Sequence, residues 1–324
     1  MSVFNIGELY ANTFGGSIDE PKIMPITEEI NAIQVTEEPK PRLRYLNGFT
    51  RDMFKGQDVV AFGAEEDYDW GIVLDGHGDN GQRGFIKIIK QYNWREIMIT
   101  EDPCTTLLSM LKMEYRYTTG GSTMLMMKAY ADHIDTVSIG DSLIVIYKNG
   151  RIAYKSCPHN EKNLADMERV IADGGILIPG KQDISYLASA SKMRTHRPGY
   201  IRFRSGGVMI APTQALGHGG ITGYNPEKNT LHFGPNDHIR CMLFTDGHGD
   251  MTLFESEVVE DLEKDQTDML TMTVSQLVDK TEARWKQEWN LEYCQKPVRS
   301  TLISYPDDMW DDIGLLVWDN RNPV

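Results

Sequence analysis

Acidic residues at the ends of apolar runs are the groups in this sequence best suited to chemistry. The string Asp-Gly-His-Gly-Asp occurs twice, beginning at Asp75 and at Asp246, and each copy directly follows an apolar run. Asp58 immediately precedes the run VVAFG, and Asp311 stands just before DIGLLVW. A carboxylate at a strand end is held by a rigid element while it still projects at the edge of a sheet. Several such ends brought together would form an all-oxygen site for two divalent cations, with a water made acidic enough to attack phosphorus.

The glycine that follows the first aspartate of each string has two uses at such a site. It permits a tight turn, and it lets a backbone carbonyl approach a metal ion. Ligation by oxygen alone favours magnesium or manganese over zinc. A single Asp-Gly pair is an ordinary turn, but two copies of the longer string, each after an apolar run, favour a common site.

Composition excludes several other classes of protein. The chain has 324 residues, 40% of them hydrophobic and 25% charged, which is typical of a globular protein. A net charge of -14 argues against a nucleic-acid partner, because phosphate backbones would repel the chain. The four cysteines match no zinc pattern, and no secretory signal or membrane-spanning apolar run is evident. We therefore expect a soluble intracellular protein, cytoplasmic or nuclear, without membrane partners and compatible with a monomeric state.

Apolar patterning predicts the elements that would position the aspartates. Residues 1–45 read as an irregular N-terminal extension, and residues 46–324 as a single domain. Strand-like runs at 59–63 and 68–75 form a hairpin signal, followed by two helical segments and a four-strand meander. Residues 253–289 read as two helices, and the run 313–318 as a buried closing strand. Strands with helices inserted in pairs predict an α+β fold, a two-sheet antiparallel β-sandwich flanked by helices.

Seven motifs in order resemble those of the metal-dependent protein phosphatases, the type 2C serine/threonine phosphatases. They run from about residue 48 to 319, and they are VLDGHGD (73–79), TGGSTMLM (119–126), VSIGDSLIVIYKNGRI (137–152), CPHNEKNLADMERVIADGGIL (157–177), APTQALGHG (211–219), LFTDGHGDM (243–251) and DDIGLLVW (311–318). The resemblance implies a two-sheet sandwich with outer helix pairs and a flap-like segment near 178–214. It further implies hydrolysis of phosphoserine and phosphothreonine esters in phosphoprotein substrates.

The resemblance also assigns roles to individual residues. It implies that two divalent cations, manganese or magnesium, are bound by four carboxylates and one backbone carbonyl, those of Asp58, Asp75, Asp246, Asp311 and Gly76. Two further acids, Asp141 and Asp250, would match a third and weaker metal site. His77 would be the general acid that protonates the leaving alkoxide, and we expect it to titrate near neutrality.

Some positions depart from the family pattern. Met53 stands where the family usually has a phosphate-binding arginine, so Arg51 and Lys55, which flank it, are the candidates for that role. A lysine would offer only a point charge where an arginine offers two parallel hydrogen bonds. Other departures are Asp79, Leu143, His218, His248 and Asp312. None of them removes one of the four principal carboxylates, which indicates a divergent member.

Several alternatives stay open on the sequence. The chain could be a non-catalytic partner-binding module on the same fold, or a phosphatase of small phosphomonoesters. The basic run at 192–204 could contact a phosphosubstrate or be a solvated loop. His248 could donate to the metal ligands or be a buried polar residue. Trp285 and Trp289, four residues apart, could pack on the sandwich or face a partner.

Overall fold

A computed structural model describes the chain from residue 45 onward, with gaps. The described residues are 45–78, 85–114, 120–178, 184–188, 200–202, 209–218, 222–252, 259–293, 299–321 and 324. The chain separates into two compact units, Met1–Pro41 and Arg42–Val324, and all described residues belong to the second. The N-terminal extension, the basic segment at 192–197 and Asp79 lie outside the described residues.

Two five-stranded antiparallel sheets form the centre of the second unit. The first has the order β1-β19-β16-β8-β9, with β1 (Tyr45–Arg51), β8 (Leu143–Lys148), β9 (Arg151–Lys155), β16 (Ile239–Phe244) and β19 (Ile313–Asp319). The second has the order β15-β7-β6-β3-β2, with β2 (Val59–Ala64), β3 (Asp69–Leu74), β6 (Met124–Ala129), β7 (His133–Ile139) and β15 (Glu227–His232). The predicted hairpin and closing strand are present. The predicted four-strand meander is divided between the sheets, because β6 pairs with β7 in the second sheet and β8 pairs with β9 in the first.

The central strands are mostly apolar because they are covered on both faces. Every residue of β3, β16 and β19 is buried. Between the sheets lies a core that includes Val73, Leu243 and Trp318. At Gly71 the sheets approach closely, since a Cβ there would lie 2.6 Å from Leu316 Cδ1. Packing of the two inner faces against each other therefore defines the sandwich.

Helices cover both outer faces of the sandwich. On the second sheet lie α1 (Phe85–Ile89), α2 (Trp94–Met98) and α3 (Pro103–Glu114). On the first sheet lie α5 (Asp246–Gly249), α6 (Val259–Thr271) and α7 (Val274–Lys286). The predicted four-layer α-β-β-α arrangement is confirmed. None of the helices within the described ranges is both long and apolar enough to cross a membrane.

One predicted boundary is wrong. The sequence pattern extended the second helix of the 253–289 pair through Trp289, but α7 ends at Lys286 and a strand, β17 (Glu288–Tyr293), begins two residues later. A capping box at Thr273 and Gln276 starts α7, while Gln287 already has extended backbone angles. Strand pairing with Arg299–Ser304 and with Ile184–Ala188 thus overrides the helical spacing of the two tryptophans.

The segment 176–220, for which the sequence predicts no elements, supplies short strands. A helix, α4 (Leu164–Ala172), leads into a small sheet of Ile176–Ile178, Tyr200–Arg202 and Met209–Ile210. A second small sheet consists of three two-residue strands, β4 (Gly76–His77), β5 (Gly121–Ser122) and β14 (Leu216–Gly217), in the order β14-β5-β4. This sheet matters for the site, because it carries the histidine of the first repeated string.

Candidate metal centre

The four principal aspartates meet at one edge of the sandwich. Asp58 precedes β2 and Asp75 follows β3, and these strands are antiparallel neighbours in which Val59 pairs with Leu74. Asp246 follows β16 and Asp311 precedes β19, where Phe244 pairs with Leu315. Antiparallel pairing places the end of one strand beside the start of its neighbour. Each sheet therefore delivers two carboxylates to the same edge.

A threonine joins the two pairs of carboxylates across the sandwich. The Thr245 hydroxyl donates to Asp58 Oδ2 at 2.9 Å and accepts from the backbone amide of Gly314 at 2.9 Å. Thr245 is fully buried and directly precedes Asp246. Sequence reasoning did not identify Thr245, although its place between an apolar strand and the Asp-Gly pair was a signal that could have done so.

The carboxylates repel one another strongly in the metal-free chain. Burial, followed by repulsion from Asp246, Asp58 and Asp311, raises the pKa of Asp75 well above its ordinary value, and a hydrogen bond with the Asp246 carboxyl adds to this. Burial likewise raises the pKa of Asp58, against the hydrogen bond from Thr245. Burial and Asp246 raise the pKa of Asp311 to about 6. Such shifts arise where like charges share one site.

Lys55 is the cation that partly offsets this repulsion. Its Nζ lies 3.0 Å from Asp311 Oδ1. Burial by itself would lower the pKa of Lys55, but the attraction of Asp311, Asp246 and Asp75 raises it above the ordinary value. The lysine is thus held charged at the carboxylate cluster. Of the two candidates for a phosphate contact, Lys55 is the one that the structure places beside the predicted metal ligands.

Arg51, the other candidate, lies against a helix on the outer face. It forms ion pairs with Glu282 and with Asp279, the latter at 3.0 Å, and both acids belong to α7. A phosphate contact from Arg51 would require both pairs to open. Its predicted role in substrate binding stays a prediction.

Asp312 fastens the loop that carries Lys55. Its Oδ1 accepts the backbone amide of Met53 at 2.8 Å and that of Phe54 at 3.3 Å, and its Oδ2 accepts that of Gln57 at 2.6 Å. In the sequence, Asp312 is recognisable only as one of the departures from the family pattern. A carboxylate has two acceptor oxygens, and both are used here to order the loop.

Replacing Asp312 with alanine should lower the free energy of unfolding by about 2 kcal/mol, because it leaves the buried amide of Gln57 and the partly buried amides of Met53 and Phe54 without this acceptor. Urea unfolding of the metal-free protein measures this. Asp312→Asn, which keeps one carbonyl oxygen, should lose less, and Asp308→Ala at an exposed turn should lose almost nothing. Equal stabilities of Asp312→Ala and Asp308→Ala would show that the loop does not depend on this carboxylate.

Gly76 sits where no side chain fits. A Cβ there would lie 2.0 Å from Ile86 Cγ1 and 2.7 Å from the Gln57 carbonyl oxygen. The preceding residue, Asp75, is hydrogen-bonded to Thr123 through both its amide and its carbonyl. The Asp75 amide donates to Thr123 Oγ1 at 3.2 Å, and the Asp75 carbonyl accepts from the Thr123 amide at 2.9 Å. The predicted carbonyl ligand therefore belongs to a closely packed turn.

His77 is partly buried and bonded to a second histidine. Its Nδ1 lies 2.9 Å from Nε2 of His218. Burial, then the neighbouring His218 and Lys55, lowers the pKa of His77 to about 3 in the metal-free chain. The sequence led us to expect titration near neutrality, and the structure differs because the ring is withdrawn from water beside two basic groups. His77 is thus uncharged at neutral pH in this state.

The second copy of the repeated string is fastened to α7. The Trp285 indole donates to the Gly247 carbonyl at 2.8 Å, and His248 Nδ1 lies 2.7 Å from the Thr281 hydroxyl. Thr281 donates its own proton to Leu277, so His248 Nδ1 is the donor in their bond. His248 is 1% exposed. These contacts support its interpretation as a buried polar residue.

The two acids predicted for a third metal differ in environment. Asp141 lies close to the main cluster, since burial and repulsion from Asp246 and Asp311 raise its pKa to about 7. Asp250 is exposed at the end of α5, one turn after Asp246, to whose carbonyl its amide donates. The third site stays a prediction.

The donors present fit a hard divalent cation in charge and in chemistry. All are oxygens, and bound cations would neutralise the repulsion between the carboxylates. Within the residues that the structure describes, however, no group of three or more His, Cys, Asp or Glu side chains is already arranged to hold a metal ion.

Comparisons with known proteins address the fold. No protein-family model and no curated protein sequence matches the chain. A solved C. elegans sex determining protein has a TM-score of 0.53 at 15% identity, over 86% of this chain and 65% of that one. PppA, a key regulatory component of T6SS in Pseudomonas aeruginosa, has a TM-score of 0.51 at 15% identity, over 85% and 96%. A serine-threonine phosphatase 2C from Toxoplasma gondii has a TM-score of 0.48 at 12% identity, over 85% and 94%.

At these identities the likeness shows the fold alone, and this chain spans 65% of the length of the C. elegans protein. The arrangement of two sheets between helix layers is shared with the C. elegans protein and with PppA. The resemblance drawn from the sequence motifs is thus confirmed at the level of the fold.

Proposed function

We propose that the chain hydrolyses phosphoserine and phosphothreonine esters of proteins in a reaction that depends on two divalent cations. The observation that carries this proposal is the cluster of strand-end carboxylates, in which Asp58, Asp75, Asp246 and Asp311 repel one another at one edge of the sandwich. A cluster of buried carboxylates that repel one another in this way is suited to cations.

Residues of this chain would hold manganese or magnesium through oxygen alone. The ligands would be the four carboxylates and the Gly76 carbonyl, with Asp141 and Asp250 at a third and weaker site. When bound, the cations supply an acidified water and neutralise the charge of the phosphate dianion. Lys55 would bind a phosphate oxygen, exchanging part of its contact with Asp311 for the substrate.

His77 would donate a hydrogen bond from Nε2 to the leaving oxygen, and the departing alkoxide would then take its proton from water. Its Nε2 is buried and makes no hydrogen bond to any described residue. A serine or threonine alkoxide is strongly basic, so a donor at the leaving oxygen eases its departure, whereas nitrophenolate leaves without help.

Replacing His77 with alanine should therefore lower kcat on phosphoserine peptides roughly a hundredfold, and lower kcat on p-nitrophenyl phosphate much less. Steady-state kinetics on both substrates in manganese measures the difference. Equal slowing on both would contradict a role for His77 at the leaving group.

The proposed function is tested with the purified chain, p-nitrophenyl phosphate and a panel of phosphopeptides. We expect hydrolysis with manganese or magnesium, none with EDTA, and recovery when metal is restored. Activity that survives EDTA, or no hydrolysis in any divalent metal, would contradict the proposal. Turnover of small phosphomonoesters but of no phosphopeptide would move the assignment to a small-molecule phosphatase.

A non-catalytic binding module is the second candidate. Two observations favour it, namely the lack of preassembled metal ligands among the described residues and the engagement of Arg51 by α7. Retention of all four carboxylates opposes it. Phosphopeptide binding without turnover in any metal would select this alternative.

A further inference from the structure

His77 and His218 meet over a glycine in the three-strand small sheet. His77 on β4 and Gly217 on β14 both pair with Gly121 of β5, from opposite sides. A Cβ on residue 121 would lie 2.4 Å from both Cδ2 and Nε2 of His218. The absence of a side chain at residue 121 therefore leaves the space through which the His218 ring reaches across β5 to His77.

The backbone of His218 is in an unusual conformation. Its φ is +50°, in the left-handed region that non-glycine residues rarely adopt. Its amide donates to the Gly120 carbonyl at 2.8 Å, and the residue is 4% exposed. A strained, buried polar residue at a candidate site is a reason to ask what its side chain does.

The two rings are nearly parallel and share one hydrogen bond. Their planes differ by 16°, their centroids are 4.6 Å apart, and 2.9 Å separates His218 Nε2 from His77 Nδ1. When both rings are neutral, one of these nitrogens donates and the other accepts. If His218 donates, the proton of His77 is on Nε2. If His77 donates, its Nε2 has only a lone pair.

We propose that His218 is a positioning residue that donates to His77 Nδ1 and so fixes His77 in the tautomer with its proton on Nε2. That nitrogen then presents an N–H to the leaving oxygen. The use made of this N–H rests on the proposed function, whereas the tautomer itself is a property of the metal-free protein. Orientation of a histidine by the partner of its other nitrogen is a general device of functional sites.

Nitrogen-15 NMR of the imidazoles in the metal-free protein tests the tautomer directly. The His77 signals are assigned by their loss in His77→Gln. We expect the proton on Nε2 in the wild type and in His218→Gln, whose side-chain amide can still donate. In His218→Leu, which keeps bulk but has no donor, the population should shift towards Nδ1–H. His232→Gln, at an exposed position, is the matched control and should change nothing.

A wild-type His77 with its proton on Nδ1 would overturn the proposal, and so would a tautomer unaffected by His218→Leu. Should that variant fail to fold by circular dichroism, the wild-type spectrum still decides. These measurements need no turnover, so they remain decisive even if no phosphatase activity is found.

Kinetics in manganese provides the second test. His218→Leu should lower kcat on phosphoserine peptides about tenfold, with KM nearly unchanged and a smaller loss on p-nitrophenyl phosphate. His218→Gln should restore most of kcat. Equal loss on both substrates, or no rescue by glutamine, would show that His218 serves only the packing of the small sheet.

Discussion

Replacing Asp246 with asparagine is expected to lower kcat on p-nitrophenyl phosphate by at least about a thousandfold. Asp246 has a central position in the cluster. Its charge raises the pKa of four other carboxyl groups, those of Asp58, Asp75, Asp141 and Asp311. A carboxylate at this central position would be one of the ligands that hold the cations. The near-isosteric amide keeps the shape of the side chain and removes the charge on which cation binding depends.

The matched control is Asp67→Asn, a change of the same kind at an exposed loop position. It should leave kcat and the manganese requirement unchanged. Calorimetric titration with manganese should show weakened binding for Asp246→Asn alone. Retention of more than a tenth of the wild-type kcat by Asp246→Asn would remove this residue from the proposed metal centre.

Replacing Asp75 with asparagine should stabilise the metal-free protein while it weakens metal binding. Burial and like charges raise the folded-state pKa of this carboxyl, so its ionised form is disfavoured in the folded chain. Such a group stabilises the folded state at pH values below the pKa that it has in the unfolded chain. This contribution is lost as the pH rises through the higher pKa that it has in the folded chain. At pH 7.5 in EDTA we expect Asp75→Asn to raise Tm by a few degrees, about 1 kcal/mol for a domain of this size.

Comparison at two pH values isolates this effect. The stabilisation by Asp75→Asn should shrink as pH falls towards 5, because protonation relieves the repulsion in the wild type. The effect is read from the difference in Tm between the variant and the wild type at the same pH, because His77 and His248 also change stability with pH. Their folded-state pKa values are lowered to about 3, so they destabilise the folded protein as pH falls below their unfolded pKa, which is opposite in sign to the effect of Asp75. Thermal unfolding gives the measurement at each pH.

Manganese should reverse the order of stability. Saturating metal should raise Tm of the wild type and raise that of Asp75→Asn much less, since binding to the folded state alone is stabilising. A lower Tm for Asp75→Asn than for the wild type in EDTA at pH 7.5 would show that the carboxylates are not in repulsion.

The fold could be predicted well because its signals are local. The runs that became β3, β16 and β19 are mostly apolar, and their burial on both faces follows from that composition. The aspartates at their ends were recognisable for the same reason, because a strand end and an adjoining glycine are readable from a few neighbouring residues. At Trp289 the helical spacing of the sequence competed with strand pairing. The spacing predicted a helix there, whereas the structure has a strand.

The contacts around the cluster depend on residues far apart in the chain. His218 and His77 are separated by 141 positions, Asp312 and Gln57 by 255, and Thr245 and Asp58 by 187. No periodicity or turn pattern within a window of the sequence relates such positions. Lys55 and Arg51 look equivalent in the sequence, yet one lies at the carboxylates and the other on α7.

The sequence by itself determined the sandwich, the order of its motifs and the four carboxylates at its strand ends, because these follow from short-range patterns of apolar and acidic residues. Only the tertiary structure decided which basic side chain lies beside the carboxylates, which contacts hold its loop in place and which residue contacts His77. The two copies of the repeated string show the division. They are identical in sequence, but His77 bonds to His218 beside the candidate site, and His248 is buried against Thr281. A side chain's chemistry is set by the neighbours that folding brings to it, and those neighbours are distant in the chain.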